Sequence, residues 1–149
     1  MEHKNTKSVG DLSEIIIFCE LSKLGLTVLK PWGDNCSYDF VIDFNNKFIK
    51  AQIKTGYART KYPGCICFNT YSLTTKNGHS YSKRYDKTMV DIILVYFPIN
   101  QKIYCVDINE CTSERIPLRL TPCKNNQKQK IKMAQDYELN LNCFTKLVL

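Results

Sequence analysis

Four polar residues have the types and spacing needed to hydrolyse a phosphodiester bond, and three of them form the pattern D-x12-Q-x-K. In that pattern Asp39 offers a carboxylate, Gln52 an amide oxygen and Lys54 an ammonium group. The reaction needs a divalent cation, an aimed water and a positive group near the attacking oxygen. Mg2+ prefers oxygen ligands, so we expect Asp39, Gln52 and the Ile53 backbone carbonyl to hold it, with Mn2+ as a substitute. Lys54 would then orient the water or stabilise developing charge.

The fourth residue, Glu14, lies in a predicted helix over about residues 8–24. Apolar residues fill the second half of this segment and Gly25 follows it, which is typical of a helix end. On a 3.6-residue period Glu14 shares a face with Ile17 and Leu21, so its side chain points toward the protein. A carboxylate there needs a proton, a cation or hydrogen bonds. We expect Glu14 to hold a water on the metal, or a second cation.

The hairpin around Asn45 and Asn46 must position the other three side chains. Two runs with period-2 alternation flank these asparagines, which tolerate the positive φ of a tight turn. A two-residue loop segregates the apolar side chains onto one face, whereas a three-residue loop mixes apolar and polar residues on both faces. The two-residue loop sets Asp39 across from Gln52, and Lys54 projects from the same face. The sequence therefore predicts that three polar groups converge.

A simpler interpretation is also open. Asp39 and Lys54 could form a surface ion pair contributing about 0 to 1 kcal/mol, with Gln52 solvated beside it. The spacing alone does not separate the two interpretations. The inward Glu14 and the adjoining basic segment favour the catalytic one.

That basic segment, residues 50–90, contains eight basic and one acidic residue, which equals the +7 net charge of the whole chain. Tyrosines are interleaved with these charges, a composition suited to a nucleic-acid phosphate backbone. Arg59 and Lys61 follow the second strand of the hairpin. Lys83 and Arg84 belong to a second predicted hairpin that could enter the major groove of DNA, where arginine reads guanine. Phosphate contact without base readout is an equal alternative.

Cysteines and hydropathy indicate the compartment. The eight cysteines include no C-x-x-C, and the two histidines lie far apart, so inert thiols are favoured over a zinc site. No signal-peptide pattern occurs at the N-terminus, and the apolar stretches fall far short of the ~20 residues that span a bilayer. We expect a cytoplasmic, reducing environment and no membrane contact.

The remaining patterns predict an α/β fold. Strands are expected at 27–30, 65–73, 92–97 and 102–108, and the polar tail at 122–137 is expected to be partly helical. Four lysines in that tail are read as a solvated helix face: Lys124, Lys128, Lys130 and Lys132. This order favours a mixed central sheet flanked by helices, and 149 residues suit a single domain over residues 1–149.

Several ordered blocks of the chain together resemble the PD-(D/E)XK nuclease superfamily. They are GDLSE (10–14), PWGDNCSYDFVID (31–43), QIKTG (52–56), VD (90–91) and LRLTPCKNNQKQKIKMAQDYEL (118–139). More narrowly, they are similar to its small branch of group I intron-encoded homing endonucleases. The resemblance implies an α/β sandwich with a mixed sheet, magnesium-dependent cleavage of double-stranded DNA and a homotetramer.

The resemblance also implies residue roles. The helix acid of the family falls on Glu14, its motif aspartate on Asp39, its second acidic position on Gln52 and its lysine on Lys54. Tyr38 stands where the family has proline. Gln52 removes one negative charge from the metal site, which predicts weaker metal binding, although Q-x-K is characteristic of the intron-encoded branch.

The sequence thus predicts a site-specific double-strand DNA endonuclease of the homing type. A domain of this size cannot read a long target alone, so a homo-oligomer, dimer or tetramer, is expected on a pseudo-palindrome. Two rivals are a structure-selective nuclease such as a Holliday junction resolvase, and a catalytically silent DNA-binding module.

Overall fold

The computed structural model describes residues 5–149 of the chain. Within them the α-helices are α1 (Thr6–Lys23) and α2 (Asn142–Val148). The strands are β1 (Thr27–Leu29), β2 (Phe40–Phe44), β3 (Lys47–Thr55), β4 (Tyr57–Arg59), β5 (Tyr62–Asn69), β6 (Tyr71–Lys76), β7 (His79–Arg84), β8 (Ile92–Phe97), β9 (Lys102–Asp107) and β10 (Arg115–Arg119). Short 3-10 turns cover Ile108–Glu110 and Ala134–Tyr137. None of the helices described is long and apolar enough to cross a membrane.

The central sheet has five strands in the order β1-β2-β3-β8-β9. Strands β3 and β8 run parallel, and the other neighbouring pairs are antiparallel, so the sheet is mixed as predicted. Every residue of β8 is buried, because this strand carries packed layers on both of its faces. The fold class predicted from the sequence is therefore confirmed.

The two faces of the central sheet are covered differently. Ile17 and Leu21 of α1, together with Phe144 of α2, pack on one face. The opposite face packs against Ile66 and Leu118, which belong to a second, three-stranded sheet in the order β10-β5-β4. Both helices therefore lie on one side of the central sheet, and a small sheet replaces helices on the other.

Gly56 joins the two sheets, since it lies between β3 and β4. A Cβ atom on Gly56 would lie 2.8 Å from Cγ2 of Ile66 and 3.1 Å from Cγ1 of Val95. Only glycine lets the backbone pass this close to the core between the sheets. The end of β3 is thus fixed by packing immediately after the polar residues of interest.

The predicted register of the first hairpin is confirmed. Phe40 pairs with Ala51, and the other opposed pairs of β2 and β3 follow in step. Asn45 and Asn46 form the loop with φ values of 51° and 62°, the positive angles that a two-residue turn of this kind requires. The paired register begins at Phe40, and the backbone N–H of Asp39, just before β2, donates to the carbonyl of Ala51 at 2.9 Å, which holds Asp39 against β3.

Two local predictions were wrong. The expected strand over 65–73 bends at Thr70 and divides into β5, which pairs with β10, and β6, which pairs with β7. The tail at 122–137 forms no α-helix, and its only helical piece is a four-residue 3-10 turn. Positive φ at Asn126 and Lys130 interrupts it, so the lysines of this tail do not share a helix face.

Candidate active site

Asp39 lies at the mouth of the first hairpin, just before β2. Its Oδ2 accepts a hydrogen bond of 2.8 Å from the backbone N–H of Ile53 on β3. Burial raises the pKa of the Asp39 carboxyl, and the carboxylate of Glu14 acts in the same direction, while the Ile53 hydrogen bond and Lys54 oppose them. A buried carboxylate whose charged form is disfavoured gains stability from a cation.

Lys54 is held on the same face of the sheet by two groups from beyond the hairpin. Its Nζ donates to the carbonyl of Tyr71 at 3.0 Å and lies 5.0 Å from the centre of the Tyr85 ring. Burial lowers the pKa of Lys54, and the charge of Asp39 opposes this effect. Burial raises the pKa of Tyr85 to about 12, and the charge of Asp39 adds to the shift. Asp39, Lys54 and Tyr85 therefore lie within electrostatic reach of one another.

Gln52 and Ile53 add two oxygen atoms to this group. The Gln52 amide nitrogen donates to the backbone carbonyl of Ile53 at 3.3 Å. The Asp39 carboxylate, the Gln52 amide oxygen and the Ile53 carbonyl are all hard donors, which fits Mg2+ or Mn2+ and disfavours softer metals. Across residues 5–149 no three His, Cys, Asp or Glu side chains cluster in a metal-binding arrangement. A cation here would thus depend on an amide and a backbone oxygen besides carboxylate.

Glu14 reaches the site from α1. Its Oε2 forms an ion pair of 2.8 Å with Lys30, and about a quarter of its side chain, 27%, remains exposed. A hydrogen bond of 2.6 Å between the hydroxyls of Ser13 and Thr55 ties this turn of α1 to the residue after Lys54. Glu14 therefore lies at the border of the core, beside the end of β3, as its helical position predicts.

Three contributors were missed by the sequence reasoning: Lys30, Tyr71 and Tyr85. Lys30 follows β1, and its position at the end of a predicted strand was a usable signal. Tyr71 acts through a backbone carbonyl, so its side-chain type gives no signal. Tyr85 is 7% exposed although it stands in the hydrophilic run SKRYDK, and an isolated aromatic residue there hints at burial.

The expected DNA contacts lie in two places. Arg59 and Lys61 approach the Tyr62 ring on the second sheet, at 5.9 and 5.7 Å from its centre. Strands β6 and β7 pair as a hairpin, and Lys83 is exposed near its base. Arg84 instead donates to the carbonyl of Cys111 at 2.9 Å, which holds it against the protein. The site therefore brings together Glu14 and the three hairpin residues, while these four basic residues lie outside it.

Comparisons with known proteins identify the family and the fold. The structure matches that of a bacterial homing endonuclease, I-Ssp6803I, with a TM-score of 0.75 at 21% sequence identity. The match covers 97% of this chain and 94% of that chain, and it shows a shared fold. No curated protein matches the sequence. The sequence model of the family described as PD-(D/E)XK endonuclease matches residues 4–140. The chain therefore belongs to the PD-(D/E)XK endonuclease family.

Proposed function

We propose that this protein is a site-specific double-strand DNA endonuclease of the intron-homing type, and that residues 1–149 act as one endonuclease domain. Family membership supports a nuclease acting on DNA. The observation that carries the proposal is the convergence of Asp39, Gln52 and Lys54 at the mouth of one hairpin, with Glu14 beside them. The shared fold with a bacterial homing endonuclease supports the homing assignment.

Asp39, Gln52 and Ile53 would hold the divalent ion, Mg2+ or Mn2+, through their oxygen atoms. The chemistry such an ion supplies when bound is neutralisation of charge at the scissile phosphate and activation of a water. Asp39 has one oxygen engaged with the Ile53 N–H, so its other oxygen is available to a ligand. Gln52 would have to turn its amide oxygen outward and release the Ile53 carbonyl, a rotation about one side-chain bond.

Lys54 would act on the water or on the phosphate. The Tyr71 carbonyl and the Tyr85 ring fix its ammonium group, so its position is set before the substrate arrives. Its burial lowers its pKa, which makes transfer of a proton easier than from a solvated lysine. Depending on its protonation state, the side chain can accept a proton from the attacking water or stabilise negative charge on the phosphate oxygens.

Gln52 distinguishes this site from the acidic variants of the family motif. Since an amide is neutral, the site carries one negative charge fewer than a D-E-K site and should bind the metal more weakly. Glu14 supplies the remaining carboxylate, and its ion pair with Lys30 holds it at the edge of the site. We propose that Glu14 orients a water there, and that Q-x-K marks the intron-encoded branch.

Each chain carries one such site, whereas a double-strand cut requires two. A symmetric homo-oligomer, dimer or tetramer, would place two sites on the two strands of a pseudo-palindromic target. Base readout would come from the β6–β7 hairpin, which projects from the core with every residue of β7 exposed.

Cleavage of a plasmid that carries the intronless insertion site tests the proposal. We expect linear product with Mg2+ or Mn2+, none with EDTA, and none from a plasmid whose insertion site is scrambled. Equal cleavage of both plasmids would contradict site specificity. Preferential cleavage of a four-way junction would indicate a resolvase, and binding without cleavage under all conditions would indicate a silent module.

A further inference from the structure

The outer face of the three-stranded sheet is a basic surface that the active site does not use. Along β10, Ile116 and Leu118 are buried against the central sheet. Because side chains alternate along a strand, Arg115 and Arg119 project from the opposite side. Arg59 lies on β4 of the same sheet, two residues after Tyr57; Tyr57 and Pro117 of β10 both pair with Cys67 of β5, and the charges of Arg59 and Arg115 both act on the Cys67 thiol. We call Arg59, Arg115 and Arg119 the arginine face.

Within residues 5–149 no acidic side chain forms an ion pair with the arginine face. Residues 57–71 contain two basic and no acidic residues, and residues 115–132 contain six basic and no acidic residues. The four ion pairs found within residues 5–149 involve none of the three arginines. Burial raises the pKa of Cys65 and Cys67, so the two thiols beneath the arginines stay neutral. Such an excess creates a strong positive potential that attracts a polyanion.

The face is continuous with the active site at one end. Arg115 pairs with Asn69 of β5, whose amide oxygen accepts a hydrogen bond of 2.7 Å from the Tyr57 hydroxyl, and hydrogen bonding to Tyr71 together with the charge of Tyr57 raises the pKa of the Arg115 guanidinium. The backbone carbonyl of the same Tyr71 accepts the hydrogen bond from Lys54. At the other end, Arg119 and Lys124 line a groove of about 680 Å³. A chain of positive groups thus leads away from Lys54 across the second sheet.

We propose that the phosphate backbone of the substrate duplex lies across this face, with Arg115 and Arg119 each binding a phosphate. Arg115 and Arg119 are four residue steps apart, roughly 13 Å at ~3.3 Å per residue, which is far enough for the two side chains to bind different phosphates of one strand. Arginine suits the role because its planar donors bind phosphate oxygens bidentately. This inference rests on the proposed function only for the identity of the polyanion, which is DNA.

Salt dependence of binding tests this proposal without any cleavage. The probe is a fluorescein-labelled duplex of arbitrary sequence, and anisotropy is measured with full-length protein in EDTA. Each lost phosphate contact reduces the slope of log K against log salt by ~0.9. Between about 50 and about 200 mM salt, wild-type affinity should therefore fall ~12-fold more than that of the double variant Arg115→Gln/Arg119→Gln.

Two controls separate charge position from net charge and from folding. Lys7→Gln/Lys23→Gln removes the same charge from α1 and should keep the wild-type slope. Arg115→Lys/Arg119→Lys keeps the charge and should also keep the slope, whereas a damaged fold would alter it. An unchanged slope in the glutamine variant, or an equal reduction in the α1 variant, would overturn the proposal.

Failure of the proposed function would look different. If the wild-type protein binds duplex with the expected slope but cuts no DNA with Mg2+, the proposed nuclease function is contradicted. Phosphate binding by the arginine face is then still supported. The converse result is that the wild-type protein cuts DNA while the glutamine variant keeps the wild-type slope. That result would contradict phosphate binding by the arginine face and would leave the proposed nuclease function standing.

Discussion

Replacement of Tyr85 by leucine tests how Lys54 is positioned. The Lys54 Nζ lies 5.0 Å from the centre of the Tyr85 ring, and both side chains are largely buried. A desolvated contact of this kind contributes ~0.5 to ~2 kcal/mol, and each ~1.4 kcal/mol is a factor of ten in rate. Tyr85→Leu should therefore reduce the single-turnover cleavage rate by ~2- to ~30-fold. Tyr85→Phe keeps the ring and should stay within about twofold of wild type.

The pH dependence of the same rates separates positioning from loss of packing. The aromatic ring favours the ammonium form, so removing it should lower the pKa of Lys54 further. The inflection assigned to Lys54 should then move to lower pH in Tyr85→Leu, whether Lys54 acts as base or as cation. Phe48→Leu removes a ring that is 68% exposed at the far end of β3, so it is the control and should change neither quantity.

Two results would refute this reasoning. One is an equal loss of rate in Tyr85→Phe and Tyr85→Leu, which would show that the phenol hydroxyl and not the ring matters. The other is an inflection that stays in place or moves to higher pH, which would mean that Lys54 gains solvent instead of losing a partner.

Three further predictions concern stability and reactivity. Gly56→Ala should destabilise the fold by about 1 to 3 kcal/mol in urea titrations, since its Cβ would lie 2.8 Å from Ile66 Cγ2; no change would contradict the close approach. Cys143 should be alkylated first by iodoacetamide at pH 7, because a hydrogen bond from Cys105 lowers its pKa to about 6; peptide mapping that finds other thiols faster would contradict this. Asp39→Asn should stabilise the metal-free protein at pH 7, because the raised pKa means that ionised Asp39 disfavours the folded state. That gain should vanish as the pH falls below the unfolded pKa of ~3.9, and a gain that persists there would argue against it.

The part of the site built by local pattern was predictable from the sequence. Period-2 alternation and the Asn45–Asn46 turn determine the register of the first hairpin, and the register alone brings Asp39 toward Gln52 and Lys54. The position of Glu14 followed from helical periodicity in the same way. Both relations involve residues that are close in sequence. A three-residue loop in the hairpin would have placed apolar side chains on the polar face, so the alternative register could be excluded from the sequence.

The part built by distant pairing was not predictable. Strand β10 pairs with β5 across the whole intervening β6–β9 region, and no local pattern encodes that contact. For this reason the second sheet, its arginine face and the burial of Tyr85 were missed. Arg84 was assigned to DNA from its charge and its place in a predicted hairpin, and no local pattern indicated that its guanidinium donates to the Cys111 carbonyl.

Loss of cleavage in Lys54→Ala, measured against Lys50→Ala, tests the central claim most directly. Both lysines lie on β3 and face the same way, but the Lys50 Nζ donates to the Thr88 carbonyl at 3.0 Å, away from Asp39. The account predicts that Lys54→Ala cuts the insertion-site plasmid at least about 100-fold more slowly while binding it normally, and that Lys50→Ala cuts nearly as wild type. Wild-type cleavage by Lys54→Ala, or an equal loss in both variants, would contradict it.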